Sequence, residues 1–460
     1  MKIVSAALAV VLAGALSAEP SIDFSTAVGP VKPVNAVGQP PILGFTNTSL
    51  FHYLKEAGIP YSRLHDVGYP YGRGIFVDIP NLFRDFEADE NDPKNYDFAY
   101  TDNLLKALEA NGVEPYYRLG VTIENAAGEG FPAYRIFPPK DYAKWARICE
   151  HVIRHYTEGW ANGFKMKIAY WEIWNEPENY EEIEKNCMWK ASFDEFIRFY
   201  GVVAPYLKSK FPHLKIGGYG SCGFYAGVGA GQIRAANSSP RMEYFVVCAE
   251  KFLAAARDGK WPLDFFSYHS YSNPAEAISQ VRFADALLTR YGFTPDRTER
   301  HFNEWLPSVG HDNLGTYMQA SRIAAELIAL QNGPCDLACI YDAKCGVGDY
   351  SPLFNCLTYK PHKAYYVFKA FNALRQLGMS VKVTDSADMC DGKGLWVTAA
   401  TDKKGRKSVL VANISAESLP LPAVLRDGGF KVRAIDATHD FDEIPCSETI
   451  GKDTVLLFER

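Results

Sequence analysis

Eight short apolar runs, each followed by an amphipathic segment, divide most of this 460-residue chain. The runs cover 42–46, 61–65, 115–119, 169–174, 215–219, 265–271, 299–304 and 337–342. The segments between and after them cover 49–57, 101–111, 140–156, 193–211, 242–256, 275–291, 317–331 and 361–377. Leu104, Leu105 and Leu108 recur at helical spacing, as do Phe196, Phe199 and Val203. Strands that alternate with helices pair in parallel through crossovers, and eight such units fit a closed (β/α)8 TIM barrel. A doubly wound open sheet is the competing arrangement. It is disfavoured because no glycine-rich phosphate turn follows an early strand.

The pattern changes after Gly378. Runs at 393–401, 408–414, 431–436 and 454–458 read as strands, with turns at Asp402-Lys403-Lys404-Gly405 and Asp427-Gly428-Gly429 between them. A small C-terminal β-sandwich is therefore expected over 379–460, beside a barrel over 42–378. The extended segment 19–41, rich in proline from residue 21, is expected to join the sandwich. Residues 1–18 carry Lys2, an apolar run from Ile3 to Leu16, and small Ala15, Ser17 and Ala18, the pattern of an export signal. That run is too short to span a bilayer, and no other stretch is long and apolar enough. A secreted or periplasmic protein without membrane insertion is expected. Oligomeric state is not legible.

Charge and cysteine usage narrow the class. Net charge is −6, from 48 basic and 54 acidic residues spread along the chain, which argues against a nucleic-acid partner. Ten cysteines permit disulfides in an exported protein, but a chain of this size builds its core without them. Cys335, Cys339, Cys345 and Cys356 lack the paired spacing of common zinc sites, and packing is the better reading. Ten scattered histidines include no His-x-His and no His-Glu-x-x-His. Neither a metal nor another cofactor is expected.

The chemistry concentrates in two glutamates. Glu176 lies in Tyr170-Trp171-Glu172-Ile173-Trp174-Asn175-Glu176-Pro177, and Glu304 in Arg300-His301-Phe302-Asn303-Glu304-Trp305. They end the fourth and seventh expected strands. In a barrel both ends reach the same rim, where catalytic residues collect. Two carboxyl groups facing each other across a sugar are what glycosidic cleavage requires. One must keep a proton near neutral pH, so its pKa must be raised; the other must be ionised. Neighbouring aromatics, Trp305 among them, supply flat faces for sugar rings, and Asn175 supplies hydroxyl recognition. Pro177 breaks the strand ladder, which lets both Asn175 and Glu176 reach a ligand. Glu172, deeper in its strand, reads as a hydrogen-bonding residue of the barrel interior, and Arg63 as the cation that neutralises buried carboxylates there. Long inserts at 66–100, 120–139 and 219–240 are expected to shape the pocket.

Trp-Asn-Glu-Pro on the fourth strand and a glutamate on the seventh resemble the clan A glycoside hydrolases, most closely family 39, the β-xylosidases and α-L-iduronidases, over about residues 44–378. The resemblance implies a retaining glycosidase that removes a terminal sugar from a β-linked glycan. It implies Glu176 as general acid/base, Glu304 as nucleophile and Asn175 as the ligand of the sugar 2-hydroxyl. It also implies that His269 and Tyr271 border the nucleophile, that His65 contacts the sugar and that Asp342 binds a sugar hydroxyl. The eighth strand departs from the clan pattern. It reads Ile340-Tyr341-Asp342-Ala343-Lys344, without the tryptophan that many members place under the sugar. Lys344 is either a uronate ligand or a solvated loop lysine. Tyr271 stands where a uronate-specific member favours a cation, which points to a neutral sugar. A β-xylosidase is the first expectation. A galactosidase, arabinosidase or uronidase of the same mechanism, or a non-catalytic sugar-binding barrel, is the alternative.

Overall fold

In the computed structural model, residues 19–43, 49–65, 67, 77–122, 134–227, 239–346, 350–389 and 392–460 are described. The expected signal segment lies outside them, as do parts of the three inserts. Eight parallel strands close a barrel in chain order: Ala36–Gly38, Tyr61–Leu64, Glu114–Leu119, Tyr170–Ile173, Lys215–Ser221, Phe265–Ser270, Glu299–Trp305 and Leu337–Ile340. Val37 pairs with Ser62 on one side and with Ile340 on the other, which closes the ring.

The first strand corrects the expectation of a strand at 42–46. It lies at Ala36–Gly38, inside the segment assigned to the sandwich, and Ile42 and Leu43 follow it; residues 44–46 lie outside the described residues. Three residues are too few to show an alternation, and flanking prolines mask them.

The helices start where side chains satisfy their free N–H groups. Asp141, Ser192 and Asn273 accept from the backbone N–H three residues on, and Pro240 and Pro274 occupy first-turn positions. Between strands and helices lies the main apolar core. Inside the barrel, an apolar layer of Ala36, Tyr116, Phe265, Leu337 and Cys339 lies beneath a polar network that includes Arg63, Glu172 and Asn303.

The C-terminal domain is an antiparallel sheet of seven strands. In spatial order they are Ser21–Pro30, Met379–Thr384, Trp396–Thr401, Lys407–Asn413, Thr454–Glu459, Lys431–Ile435 and Asp440–Ile444. The N-terminal strand thus pairs with the one that follows the last barrel helix. Alternation divides the faces. Trp396, Ala400, Leu410, Ala412, Val455 and Leu457 join the barrel core. Val397, Ala399, Val409, Val411, Leu456 and Phe458 pack in a second core with Leu421, Leu425 and Ile450, beside the two-stranded sheet Leu419–Pro420 and Thr449–Ile450. The nine described cysteines are free thiols, and Cys335 and Cys339 are buried in the core. Among the described residues, no helix is long and apolar enough to cross a membrane.

Candidate active site

The fourth strand ends at Ile173, and the chain turns sharply after it. Trp174 and Glu176 both have positive φ, 71° and 46°, a strained conformation for residues other than glycine. Three backbone bonds hold the turn: Trp174 N–H to Leu119 C=O at 2.7 Å, Glu176 N–H to Gly220 C=O at 2.9 Å and Asn179 N–H to Glu176 C=O at 3.0 Å. The Trp174 indole donates to Met188 C=O at 3.0 Å, so this ring is an anchor packed in the core. With strand alternation broken, Asn175 and Glu176 both reach the rim.

Glu304 reaches the mouth through a bulge: the seventh strand shifts register at Asn303, so that Phe302 pairs with Tyr268 and Glu304 with His269. It lies within the seventh strand, directly opposite His269 on the sixth, so both side chains enter the mouth at one height. The Tyr271 hydroxyl donates to Glu304 Oε1 at 2.6 Å, and Arg63 Nη1 donates to Oε2 at 2.9 Å. His269 Nδ1 lies 2.8 Å from Glu176 Oε1 and 3.7 Å from Glu304 Oε2. One oxygen of each glutamate and a ring nitrogen of His269 all lie within 4.8 Å of one another. Glu176 retains 19% side-chain exposure and Glu304 retains 8%, so both carboxylates touch solvent while His269 is fully buried.

Beneath them Arg63 organises the floor. Its Nε donates to Glu172 Oε2 at 2.7 Å and its Nη2 to Asn175 Oδ1 at 2.6 Å, in addition to the bond to Glu304. Glu172 also accepts from Ser267 Oγ at 2.6 Å and Asn303 Nδ2 at 2.7 Å. One buried cation thus faces two buried carboxylates, and the network sets the direction of Asn175 and Glu304. Gly220, at φ 65°, allows the approach: a Cβ there would stand 3.0 Å from Asn175 Oδ1, 3.2 Å from His269 Nε2 and 3.3 Å from Arg63 Nη2.

The charges are not distributed as the two-carboxylate scheme alone suggests. Burial opposes ionisation of Glu176. The hydrogen bond and charge of His269, with help from Asn179 and Arg241, outweigh burial and hold its carboxyl below its ordinary value. Burial likewise opposes a charged His269, but the Glu304 charge and the bond to Glu176 raise it above its ordinary 6.5. Both shifts favour the charged pair, an ionised Glu176 beside a protonated His269. His65 is held well below 6.5 by burial and by Arg63, Arg118 and His269, so it enters the site neutral.

The other expected residues are placed unevenly. His65 and Asp342 are buried, at the ends of the second and eighth strands. Lys344 is exposed, and its backbone N–H donates to Asp342 Oδ1 at 3.0 Å. Trp305 is a correction. Strand alternation turns it away from Glu304 into the apolar core, fully buried and stacked with Phe302 at 6.3 Å, so it offers no face to a sugar. The aromatic surface comes instead from Tyr271, Tyr341 and Tyr350, whose rings lie 5.4 to 6.2 Å apart in edge-on pairs. A cavity of about 190 Å³ opens beside Tyr271 and Tyr350.

Sequence reasoning missed three further residues around Glu176. Asn179 Nδ2 donates to Glu176 Oε2 at 3.0 Å. Glu178 is buried, accepts from Ser221 Oγ at 2.8 Å and Cys222 N–H at 2.9 Å, and is pushed up to about 7 by burial. Arg241 reaches the same turn from a helix more than sixty positions on, donating from Nε to Asn179 C=O at 2.7 Å. Glu178 left a trace in the run Glu176-Pro177-Glu178; Arg241 left none.

The profile described as glycosyl hydrolases family 39 matches residues 44–306. A β-xylosidase of Geobacillus stearothermophilus is 27% identical over 216 residues, a match spanning 45% of this chain and 38% of that protein. Among solved structures, a glucosidase of Croceicoccus marinus superposes with a TM-score of 0.70 at 18% identity, covering 96% of this chain and 99% of the other. A family 39 β-xylosidase of Caulobacter crescentus gives 0.62 at 18% identity, covering 95% and 98%. With more than half of its length matched by that profile and its barrel shared with those structures, the chain belongs to glycosyl hydrolases family 39.

Proposed function

We propose that the protein is an exported retaining glycoside hydrolase that removes a terminal sugar from a β-linked glycan, with β-xylosides as the first substrate class. One oxygen of Glu176 lies within 4.8 Å of one oxygen of Glu304, and this close approach carries the reading. Retaining enzymes hold their carboxyl groups about 5–5.5 Å apart, whereas inverting ones leave room for a water at roughly 6.5–9.5 Å. In the first half-reaction a Glu304 oxygen attacks the anomeric carbon, and the leaving oxygen takes a proton from Glu176. In the second, Glu176 takes a proton from water, which attacks the glycosyl–Glu304 ester and frees the carboxylate.

The site's electrostatics suit these steps. Arg63 and Tyr271 orient Glu304 with one oxygen each and compensate its charge. A proton held by His269, 2.8 Å from Glu176, reaches the leaving oxygen through Glu176. Asn175, its carbonyl engaged by Arg63, has its amide nitrogen for the sugar 2-hydroxyl. Tyr271, Tyr341 and Tyr350 supply the aromatic wall, His65 and Asp342 polar contacts to the sugar. The curated relative named β-xylosidase supports the choice of sugar. Export rests on the leader pattern of residues 1–18. A metal-dependent reaction is disfavoured because hydrogen bonds from Arg63, His269, Asn179 and Tyr271 already engage the carboxylate oxygens.

A panel of aryl β-glycosides of xylose, galactose, arabinose, glucose and glucuronate, with NMR of the anomer first released, tests the reading. Release of the β-anomer by the wild type, with loss of hydrolysis in both Glu176→Ala and Glu304→Ala, is the expected result. Release of the inverted anomer, or wild-type rates in both variants, refutes it.

A further inference from the structure

We propose that Arg241, seated on Tyr180, lines the leaving-group side of the cleft and binds an aglycone that carries a carboxylate. The inference builds on Glu176 as proton donor, because the donor marks the side from which the leaving group departs. Arg241 opens the helix Pro240–Asp258. Its Nε donates to the Asn179 carbonyl at 2.7 Å, and Asn179 Nδ2 donates to Glu176 Oε2 at 3.0 Å. The guanidinium therefore stands two hydrogen bonds from the acid, and its charge is one of those that favour the Glu176 carboxylate.

Three features separate this arginine from a solvated rim residue. Its guanidinium is fixed over an aromatic surface, 4.3 Å from the Tyr180 ring centre and 5.0 Å from that of Phe245. It is exposed, yet among the described residues it has no carboxylate partner. The fully buried arginines Arg63, Arg118 and Arg300 are each ion-paired. With Nε tied to Asn179, the two Nη groups remain as donors, and a planar fork of this kind matches a carboxylate. A uronic acid residue and a carboxylated phenol both present that group.

Binding to Glu304→Gln, which removes turnover, tests this by titration calorimetry. The probes are a xylosyl-β-glucuronic acid disaccharide, its methyl ester, and the matched pair of 4-carboxyphenyl and 4-methoxycarbonylphenyl β-D-xylosides. The acid is expected to bind about tenfold tighter than its ester, in the range of one charge-assisted contact. That ratio is expected to fall to about one in Glu304→Gln/Arg241→Gln, and to survive in part in Glu304→Gln/Arg241→Lys, which keeps the charge and loses the fork. A preference confined to the disaccharide identifies a uronic acid subsite, and one confined to the phenyl pair a site for carboxylated phenols. Equal binding of acid and ester in both pairs, a preference that persists in Arg241→Gln, or no binding of any probe overturns the inference. Hydrolysis of neutral aryl glycosides by the wild type is read separately, so failure of the subsite and failure of the glycosidase assignment are distinct.

Discussion

Replacing Glu178 with glutamine should change how the stability of this protein responds to pH. The carboxyl is buried, with Oε1 accepting from Ser221 Oγ and Cys222 N–H and Oε2 without a hydrogen-bond partner among the described residues. Burial, with a smaller contribution from the Glu176 charge, pushes it up to about 7 from an ordinary 4.5. The folded state thus binds a proton that the unfolded chain gives up earlier. The stabilisation linked to that proton is fully present below 4.5 and is lost as pH rises through about 7. Its size follows from the difference between the two values, at 1.36 kcal/mol for each pH unit, or about 3 kcal/mol. Glutamine copies the neutral form: its carbonyl accepts from Ser221 and Cys222, and it has nothing to ionise. Urea unfolding of wild type and Glu178→Gln at about pH 5 and about pH 8.5 reads the effect as a difference of differences. Because about pH 5 already lies above 4.5, the variant should gain about 2–3 kcal/mol on the wild type between the two conditions. Other titrating groups, including the Glu176–His269 pair, act in both proteins and largely cancel. Stability curves that run parallel in pH would show that Glu178 is ionised in the fold near neutrality and refute the assignment.

Other perturbations address the catalytic floor and the His269 proton. Arg63→Met should lower stability by about 3–5 kcal/mol, because Glu172 and Glu304 are left as buried, uncompensated charges; urea unfolding measures it. Gly220→Ala should reduce kcat by an order of magnitude or more, since the new Cβ presses on Asn175, His269 and Arg63, and steady-state kinetics with an aryl glycoside checks it. In the wild type kcat/KM should fall as pH rises through the elevated His269 value, where the imidazole loses its proton. His269→Asn should move that alkaline limb to lower pH and cut kcat/KM by about 10²-fold or more. Activity should survive exhaustive chelation with EDTA, and a loss restored by a divalent cation would contradict the two-carboxylate chemistry.

Much of the site was legible because its signals are local. Asn175 and Glu176 precede a proline, and Glu304 lies between Asn303 and Trp305, so each carries its context along the chain. The misjudged residues are those whose roles depend on direction or distance. Proximity to Glu304 along the chain suggests Trp305 for the sugar, but in the strand it points to the opposite face and fills the core. The eighth strand departs from the clan pattern by lacking a tryptophan, and the fold gathers Tyr341, Tyr350 and Tyr271 from separate segments into one aromatic cluster.

Element type and order belong to the sequence alone. Periodicities of two and 3.6 are properties of a few consecutive residues, and eight repeats of their alternation admit few ways to bury the strands. Only the closed barrel decides which charged groups meet. His269 meets Glu176 and Glu304, Arg63 spans three strands, and Arg241 returns to the Glu176 turn from a distant helix. Those contacts are set by barrel closure and strand register, which no local pattern encodes. The tertiary structure also sets the opposite shifts of Glu176 and His269, because burial and neighbouring charge exist only once the chain has folded.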